Sequence, residues 1–333
     1  MNFLNRKLLL MLQICLAVSC GRDPTSGRSE RTKIHLAVTR GSLLYLPVFV
    51  AGRAGCFDRQ NLAVNIEETE GSPKSMAALL SGTVDVVAAG YFQALDLVAQ
   101  GRRLRSFLLM QQFPGFAAVV SPRTSKHIRT IEDLKGLNVG VSAVGTESHR
   151  ILNYVLRQHG MRPEDISAIG LGPSVTQVPS LERGLVDVVM AQGVTITFLQ
   201  RRYPDLRILF DTRTPELTKA ALGVEEAPQS VLIALEDWLR SNPATARRLA
   251  GASQCALTWI QGHTPEQIRE ILPASCRSPN VDADLDAILS SKHMLSVDGR
   301  MTPELHEAAV RIAGVVNQTG VAKAYTNNFL AQQ

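Results

Sequence analysis

The sequence predicts an α/β fold of two lobes, in which each lobe is built from a β-α-β-α-β unit and a hinge joins the two. Residues 71–91 and 172–193 share a Gly, a segment ending in Leu-x-x-Gly, and then x-Val-Asp-Val-Val-x-Ala. The copies lie about a hundred residues apart, which is too long for a solenoid repeat and suits a lobe. The length of 333 residues also exceeds what one hydrophobic core usually supports. A functional site is therefore expected in the cleft between the lobes.

The N-terminus has the features of a secretory signal peptide over residues 1–19. Arg6-Lys7 precedes an apolar run that is too short for a stable transmembrane helix. The segment ending in Cys20 resembles a bacterial lipobox, although Ala17 occupies the position where Leu is commonest; ordinary cleavage at the same bond is the alternative. We expect Cys20 to be lipid-modified and residues 20–32 to form a flexible tether. The protein would then lie in the periplasm or cell envelope, anchored to a membrane.

The composition is ordinary for a soluble globular protein, with 45% hydrophobic and 20% charged residues. The formal charge of +5 is mild and the basic residues are scattered, so a nucleic-acid partner is not expected. Cys56 is interpreted as a buried packing residue, and Cys255 and Cys276 could form a disulfide across adjacent helices. These cysteines have no His or Cys neighbours at metal-ligand spacing. Neither a metal nor another cofactor is therefore expected.

The first lobe is predicted over 33–120 and 229–333. Apolar or alternating runs indicate its strands, at 34–38, 64–67, 84–88, 104–110, 116–120 and 230–235. A helix is expected over 44–54, and Ser72-Pro73 predicts another, with Ser as the cap and Pro in the first helical position. The chain after the last strand is helical and is expected to wrap the first lobe and the hinge. Its helices have predicted starts at Asn242-Pro243, Thr264-Pro265 and Thr302-Pro303.

The second lobe, over 121–228, is predicted to be an insertion in the first, joined to it by two crossovers. Thr130 is expected to cap a short helix over 131–135. Strand 137–141 then opens the second copy of the repeat, and a helix follows from Gly145. The remaining strands are predicted at 165–171, 186–191 and 207–210.

A set of short motifs, in order along 33–330, resembles the nitrate/sulfonate/taurine group of periplasmic solute-binding proteins of ABC transporters. The motifs are Leu46-Pro47 with Ala51, Gly55 and Phe57, then Ala78-Leu79-x-x-Gly82-x-x-Asp85, then Asp133-Leu134-Lys135-Gly136-x-x-Val139-Gly140-Val141. The resemblance implies a two-lobe periplasmic-binding-protein fold, type II-like. It also implies capture of a small anion, sulfonate, pyrimidine precursor or aromatic acid, and its delivery to a membrane permease with an ATPase subunit. The resemblance leaves the ligand open.

Ligands of open α/β sheets bind at the carboxyl ends of strands, in loops that lead into helices, and helix N-termini there suit anions. We therefore expect a small anionic ligand, a carboxylate or sulfonate, with Arg40 as its charge clamp. Arg40 could also be a solvated rim residue, Tyr45 and Tyr91 could be interlobe packing, and Thr146 could be a helix cap. The candidate ligand-binding residues are Arg40, Gly41, Ser42, Tyr45, Ser72, Gly90, Tyr91, Gly145, Thr146, His149, Gln192 and Thr195.

Catalytic residues are not expected. Asp85 and Asp187 recur in both copies but are interpreted as structural, capping the preceding turn. The sequence has no nucleophile elbow, phosphate loop or His-Glu-x-x-His motif. One alternative is an enzyme on the same scaffold, of the pyrimidine- or menaquinone-precursor synthesis type, against which the export signal argues. Another is the effector domain of a LysR-type regulator, which needs a helix-turn-helix where the signal peptide stands. The sequence thus predicts a monomeric solute-binding lipoprotein.

Overall fold

The computed structural model describes residues 30–172, 174–315 and 320–331. The residues from Arg31 onwards belong to one compact unit. The predicted signal peptide, Cys20 and most of the tether lie outside the described residues, so they stay predictions. Among the helices of the described part, none has the length and apolar character needed to cross a bilayer.

The first sheet has five strands: β1 (Thr32–Thr39), β2 (Leu62–Thr69), β3 (Val86–Gly90), β4 (Leu104–Leu109) and, much later in the chain, β10 (Ser230–Leu235). Their order is β2-β1-β3-β10-β4. β1 is parallel to both of its neighbours, whereas β10 is antiparallel to β3 and β4. β3 is buried along its whole length because strands flank it on both sides and helices cover the sheet.

The second sheet also has five strands: β5 (Phe116–Val120), β6 (Asn138–Val141), β7 (Ser167–Gly170), β8 (Val188–Gln192) and β9 (Ile208–Asp211). Their order is β7-β6-β8-β5-β9. β6 is parallel to both neighbours, and β5 is antiparallel to β8 and β9. Order and strand directions therefore repeat those of the first sheet, with β6 in the place of β1, which confirms the predicted duplication.

β5 lies on the other side of the boundary that the sequence predicts. The prediction ends the first lobe's opening segment at residue 120, yet β5 pairs with strands of the second sheet. The chain therefore crosses between the sheets over 110–115 and returns over 212–229. The sequence of an apolar strand next to a crossover does not show which sheet the strand will join, because an antiparallel position is available in both sheets.

The helices begin largely where the caps predict. Those before the second sheet and within it are α1 (Leu46–Arg53), α2 (Cys56–Arg59), α3 (Ser72–Ser81), α4 (Tyr91–Ala99), α5 (Glu147–Gln158), α6 (Ser174–Glu182), α7 (Val194–Arg202) and α8 (Pro215–Leu222). Those after β10 are α9 (Glu236–Ser241), α10 (Pro243–Gly262), α11 (Pro265–Ile271), α12 (Val281–His293) and α13 (Pro303–Ala313). Thr264 and Thr302 cap α11 and α13 as predicted, through hydrogen bonds from backbone N–H groups.

Two predicted caps are wrong in detail. Gly71, not Ser72, is the N-cap of α3, and Ser72 is its first helical residue. Gly71 has φ 152°, a backbone region that favours glycine. The short helix after Thr130 is a 3₁₀ turn over Glu132–Leu134, and the Asp133 carboxylate accepts the N–H groups of Arg129 and Thr130. These two N–H groups precede the turn, so Asp133 holds the chain where it enters the turn, and the position before the turn, Ile131, makes no side-chain cap hydrogen bond.

The described cysteines are paired differently from the prediction. Cys56 of α2 and Cys255 of α10 form a disulfide, with 5.9 Å between their Cα atoms. Cys276 is buried and free, so both the packing interpretation of Cys56 and the Cys255–Cys276 pairing are wrong. The reason is tertiary: α10 packs across α1 and α2, which brings together two positions 199 residues apart. Burial raises the pKa of the Cys276 thiol to about 12, so the thiol stays protonated.

Asp85 and Asp187 are structural, but they join strands and do not cap turns. The Asp85 carboxylate accepts the N–H of His35 in β1 at 2.8 Å, and the indole N–H of Trp238 at 3.1 Å. In the other copy, the Asp187 carboxylate accepts the N–H of Asn138 in β6 at 3.1 Å. The same carboxylate thus holds the first strand of each unit against the third, which explains why it recurs in both copies.

Candidate functional site

The predicted loops lie at the carboxyl ends of the parallel strands in both sheets. β1, β2 and β3 lead into the segments that start α1, α3 and α4, and β6, β7 and β8 lead into α5, α6 and α7. Helix N-termini therefore gather along these edges, as in open α/β sheets generally.

Three hydroxyl groups meet where β1 and β2 end. Tyr45 lies in a 3₁₀ turn just before α1, and its hydroxyl is 2.9 Å from the Ser72 hydroxyl. The Thr39 hydroxyl is 3.2 Å from the same Ser72 oxygen. Tyr45 is only 2% exposed, and burial raises its pKa well above the usual range; the Glu147 carboxylate raises it further. The structure thus brings together Tyr45 and Ser72, two of the predicted residues, as neutral hydrogen-bonding groups.

A carboxylate from the second sheet lies against the backbone of the first. Glu147 is the first residue of α5, and Gly90 is the last residue of β3 and the N-cap of α4. A Cβ built on Gly90 would lie 1.5 Å from Glu147 Oε1. Glycine is therefore required at position 90 as long as the Glu147 side chain stays where it is. This contact is where the two halves of the predicted site meet.

Glu147 is buried in this position, with 9% of its surface exposed. Gln229 Nε2 donates a hydrogen bond to Oε2 at 3.2 Å, whereas Oε1 has no partner among the described residues. Burial raises the pKa of Glu147 to about 8; nearby Arg150 and the Gln229 hydrogen bond oppose the shift, and nearby Asp96 adds to it. The carboxyl group is thus able to exchange a proton close to neutral pH.

The two crossovers bring amide side chains to the same place. Gln111 follows β4 and Gln229 precedes β10, and the N–H of Gln229 donates to the Gln111 carbonyl at 2.9 Å. The carbonyl of Gln229 in turn accepts the N–H of Tyr91, next to Gly90, at 2.9 Å. The side-chain oxygens of Gln111 and Gln229 are buried and have no hydrogen-bond partner among the described residues. Neither glutamine is among the residues predicted from the sequence.

The loop between β6 and α5 is held by its own hydroxyl groups. The Thr146 hydroxyl donates to the Ala143 carbonyl at 2.6 Å and lies 3.1 Å from the Ser148 hydroxyl. Thr146 is the N-cap of α5 by position, but its side chain accepts no helix N–H. The N–H of Gly145 donates to His149 Nδ1 at 3.0 Å, and burial lowers the pKa of His149. His149 is therefore a neutral acceptor that shapes the loop.

The first predicted loop departs from expectation at two positions. Arg40 is exposed, and its charge lies near the Glu70 carboxylate. Gly41 has φ 63°, and a Cβ on it would lie 2.2 Å from the Ser275 carbonyl oxygen. The close approach that Gly41 permits is therefore to another loop of the chain. Ser42 is the N-cap of the 3₁₀ turn that carries Tyr45.

Tyr91 also faces away from the contact between Gly90 and Glu147. Its hydroxyl is 2.7 Å from His306 Nδ1 of α13, and its side chain is fully buried in the hydrophobic core. The backbone of Tyr91 lies at the candidate site next to Gly90, whereas its ring points away from the site. A residue at the first position of α4 turns its side chain onto the neighbouring α13, which the sequence could not show because α13 lies over 200 residues further on.

Gln192 stands in the second sheet where Gly90 stands in the first, as the repeat predicts. Gly90 pairs with Ser230 at the start of β10, and Gln192 pairs with Phe116 at the start of β5. The Gln192 side chain donates to the Pro114 carbonyl at 3.2 Å, so it holds a crossover segment. Thr195, in the first turn of α7, is buried and its hydroxyl has no partner among the described residues.

Glu147 is the main residue that the sequence reasoning missed. An acidic residue in the first turn of a helix usually complements the helix dipole and draws no attention. Its burial depends on how α5 packs against the end of β3, which local sequence does not specify. Across the described residues, no group of three or more His, Cys, Asp or Glu is placed to hold a metal ion.

Comparison with known proteins identifies a family and a fold. A family model described as NMT1/THI5 like matches residues 44–268. YtlA of Bacillus subtilis (strain 168) is 25% identical over 264 residues, 78% of this chain and 74% of that protein. The 4-amino-5-hydroxymethyl-2-methylpyrimidine phosphate synthase THI11 of Saccharomyces cerevisiae is 24% identical over 221 residues, 65% of this chain and 63% of that one.

Solved structures with a similar fold are known. A protein from Bordetella bronchiseptica RB50 is 30% identical and superposes with a TM-score of 0.80, over 90% of this chain and 96% of that one. The periplasmic aliphatic sulphonate binding protein SsuA from Escherichia coli gives a TM-score of 0.70 at 17% identity, over 88% and 97%. The fold is therefore the one found in periplasmic solute-binding proteins, as the motifs predict.

Proposed function

The chain belongs to the NMT1/THI5-like family, and from that premise we propose that it is the extracytoplasmic solute-binding protein of an ABC importer. It would capture a small organic solute between the carboxyl edges of its two sheets and deliver it to a permease that works with an ATPase subunit. The observation that carries the proposal is the contact of Glu147 with Gly90, because it joins the two sheets through a buried polar group with an unused acceptor.

Closure around the solute would use the two crossovers, 110–115 and 212–229, as the hinge. Two ion pairs join helices of the two halves of the molecule. Arg150 of α5 pairs with Asp96 of α4, and Arg201 of α7 pairs with Asp286 of α12. Small solutes bound between lobes are commonly enclosed by hinge motion of this kind.

The structure changes which residues we expect to recognise the solute. The sequence predicts an anion held by Arg40, but Arg40 is exposed near Glu70, while a carboxyl group is buried at the centre of the site. We therefore base recognition on the buried groups Tyr45, Glu147 and Gln229, and treat Arg40 as a rim residue. Binding of a simple anion next to Glu147 would require that carboxyl group to stay protonated.

Membrane anchoring through Cys20 is part of the same proposal. A monomer held at the membrane by a lipid would present its solute directly to the permease. Replacing Cys20 by Ala should release the exported protein into the soluble fraction, since the lipid could no longer attach. Cell fractionation measures this, and the Cys276→Ala variant is the matched control because Cys276 is buried within the fold. Unchanged membrane retention of Cys20→Ala would contradict anchoring through this residue.

An enzyme on the same scaffold is the second candidate, favoured by the similarity to a pyrimidine phosphate synthase over 221 residues. One experiment separates the two. The exported protein is purified gently, and the small molecules that it retains are identified by native mass spectrometry before and after release. A solute recovered unchanged, and rebound by the emptied protein, supports a binding protein. Chemical conversion of the solute by the purified protein would favour the enzyme, and retention or rebinding of none would contradict the binding proposal.

A further inference from the structure

Oε1 of Glu147 is buried and has no hydrogen-bond donor among the described residues. Glu147 is over nine-tenths buried, and Oε1 lies against the Gly90 backbone. The first N–H of α4, that of Tyr91, is already donated to the Gln229 carbonyl. A buried acceptor without a donor destabilises a protein by roughly 1–3 kcal/mol, and more if it is charged. Such a group is retained most readily when a ligand supplies the missing donor.

Other buried side-chain oxygens on the elements that lead to and from Gly90 also lack a donor among the described residues. The side-chain oxygens of Gln111 and Gln229 are buried without partners, and their backbones flank Gly90 through the hydrogen bonds described above. The side-chain oxygen of Gln93, in the first turn of α4, is in the same condition. A sulfonate or an ionised carboxylate brings only acceptors, so it would leave the amide oxygens unsatisfied and could bind beside Glu147 only while that carboxyl group holds its proton. A group with several N–H donors would satisfy them.

The charged and titratable groups around Glu147 come from three elements. Arg150, on the same helix, is engaged by Asp96 of α4. Tyr45 faces Glu147 from the first sheet and is kept neutral by burial. Arg150 and Asp96 largely offset one another, so the carboxyl group of Glu147 dominates the electrostatics of the site once it ionises.

Resting on the proposed function, we propose that Glu147 recognises a nitrogen of the solute, and that the solute is an organic amine, amidine or amino-heterocycle whose N–H donates to Oε1. The amide oxygen of Gln229 would accept a second N–H of the same group. Tyr45, which is buried beside Ser72, would contact the body of the solute. The sequence-based expectation of a carboxylate or sulfonate is replaced by this class.

The first test compares solute classes on the exported protein. Thermal-shift measurements use two panels of matched small molecules: amines, amidines and aminopyrimidines in one, and the corresponding carboxylates and sulfonates without N–H groups in the other. Stabilisation by members of the first panel, and not by their anionic counterparts, is expected. Stabilisation by the anions alone would overturn the inference but leave the proposed binding function intact. Stabilisation by neither panel, together with no co-purified solute, would contradict both.

The second test uses the best compound of the first panel in calorimetry. Glu147→Gln should weaken its binding about 10- to 100-fold, because a charge-assisted hydrogen bond is lost. Glu164→Gln, which removes the same charge from an exposed position, should leave binding unchanged. With a cationic amine or amidine of the panel, the wild type near pH 7 should release roughly one proton per bound solute, because the bound cation favours the ionised form of a carboxyl group that burial keeps protonated. Calorimetry in two buffers of different ionisation enthalpy measures this release.

Loss of the proton release in Glu147→Gln distinguishes recognition from a merely structural role, which would alter stability but not the proton count. If Glu147→Gln folds and binds the compound with wild-type affinity, the inference is overturned. If the variant does not fold, the wild-type protein alone tests the inference. The inference is then overturned if the wild type releases no proton on binding, or if its affinity for the compound does not rise between pH 6 and pH 8.

Discussion

Gly90 and Glu147 lie in direct contact although one ends a strand of the first sheet and the other begins a helix of the second. The carboxylate oxygen occupies the space that any side chain at position 90 would need, since a Cβ there would be 1.5 Å away. The two residues are far apart in sequence and neither belongs to a conventional motif. Their contact defines the candidate site more closely than the loop residues do, because it links the sheets and fixes one oxygen of a buried acid.

Replacing Gly90 by Ala tests this contact. The backbone at Gly90 has φ −73°, which any residue adopts. The nearest atoms that the added methyl group would meet are those of the Glu147 carboxyl group. We expect the variant to fold, because the carboxyl group is the end of a flexible side chain, and to lose solute affinity about as much as Glu147→Gln does. Calorimetry on the compound chosen above, with circular dichroism for folding, measures both.

Gly170→Ala is the matched control for Gly90→Ala, since Gly170 ends β7 and a Cβ there has an ordinary contact at 3.6 Å. It should bind normally. Wild-type affinity in Gly90→Ala would mean that the position of the Glu147 carboxyl group does not matter for binding.

The stability of the solute-free protein should depend on pH through Glu147. Its pKa is raised by folding from 4.5 to about 8, so the folded state holds a proton that the unfolded state has lost between these values. The stabilisation associated with this proton is complete below pH 4.5 and is lost as pH rises through 8. The slope for one group is at most about 1.4 kcal/mol per pH unit.

Urea unfolding at several pH values between 5 and 8.5 measures this slope. The wild type should lose stability with rising pH relative to Glu147→Gln, which lacks the titrating group. The difference between the two proteins removes the contribution of His149 and His306, whose pKa values burial lowers. Parallel pH profiles for wild type and variant would show that Glu147 is not protonated in the folded state.

The two repeated α/β units were predictable because residues close together in the sequence specify their strands and helices. The Val-Asp-Val-Val strands, the positions of Asp85 and Asp187, and the Thr-Pro caps of α11 and α13 are set by residues next to one another in the chain. The two sheets share one strand order because the two copies of the repeat form the same arrangement. Local sequence thus specifies the units and their internal pairing.

The site was less predictable, because it depends on contacts between distant segments. The sequence places Tyr45 and Ser72 in loops that follow strands, and the structure brings their hydroxyl groups together. Glu147, Gln111 and Gln229 were missed because a crossover or a first helical turn marks no function by itself. The Tyr91 hydroxyl lies beside His306 of α13, a contact that local sequence does not specify. Only the packing of the two sheets decides which of these side chains is buried.

The disulfide between Cys56 and Cys255 should matter for stability. It ties α2 to α10 across 199 residues of sequence, so it restricts the unfolded chain strongly. Reduction, or replacement of both cysteines by Ser, should lower the free energy of unfolding by about 2–5 kcal/mol. The measurement is chemical denaturation with and without reductant.

Cys276→Ala supplies the control for the disulfide, because it leaves the bridge intact. The stability of Cys276→Ala should still fall when reductant is added. In the folded wild type, the Cys276 thiol should react slowly with iodoacetamide, since the pKa of this buried thiol is raised to about 12. Equal stability with and without reductant would mean that the Cys56–Cys255 bridge adds nothing to the folded state.

The ion pair of Arg201 with Asp286 should slow the release of the solute. Arg201 is on α7 of the second sheet, and Asp286 is on α12, which packs on α11 and on the 3₁₀ turn that carries Tyr45. Opening of the cleft would therefore separate the two side chains. They are 45% and 42% exposed, so the pair stabilises the closed form by only about 0.2–1 kcal/mol. Asp286→Asn should accordingly raise the rate of solute release by up to about fivefold.

The effect of Asp286→Asn should shrink as salt is added, because exposed charges are screened within about 3 Å at 1 M ionic strength. Stopped-flow displacement at low and high salt measures this. Asp58→Asn is the matched control, since it breaks a comparably exposed pair with Arg31 (59% and 40% exposed) that joins α2 to the residue before β1 and does not bridge the sheets. If both variants release the solute at the same rate, the bridging position of Arg201 and Asp286 has no role in closure, and the hinge would have to be stabilised by the buried contacts around Glu147 alone.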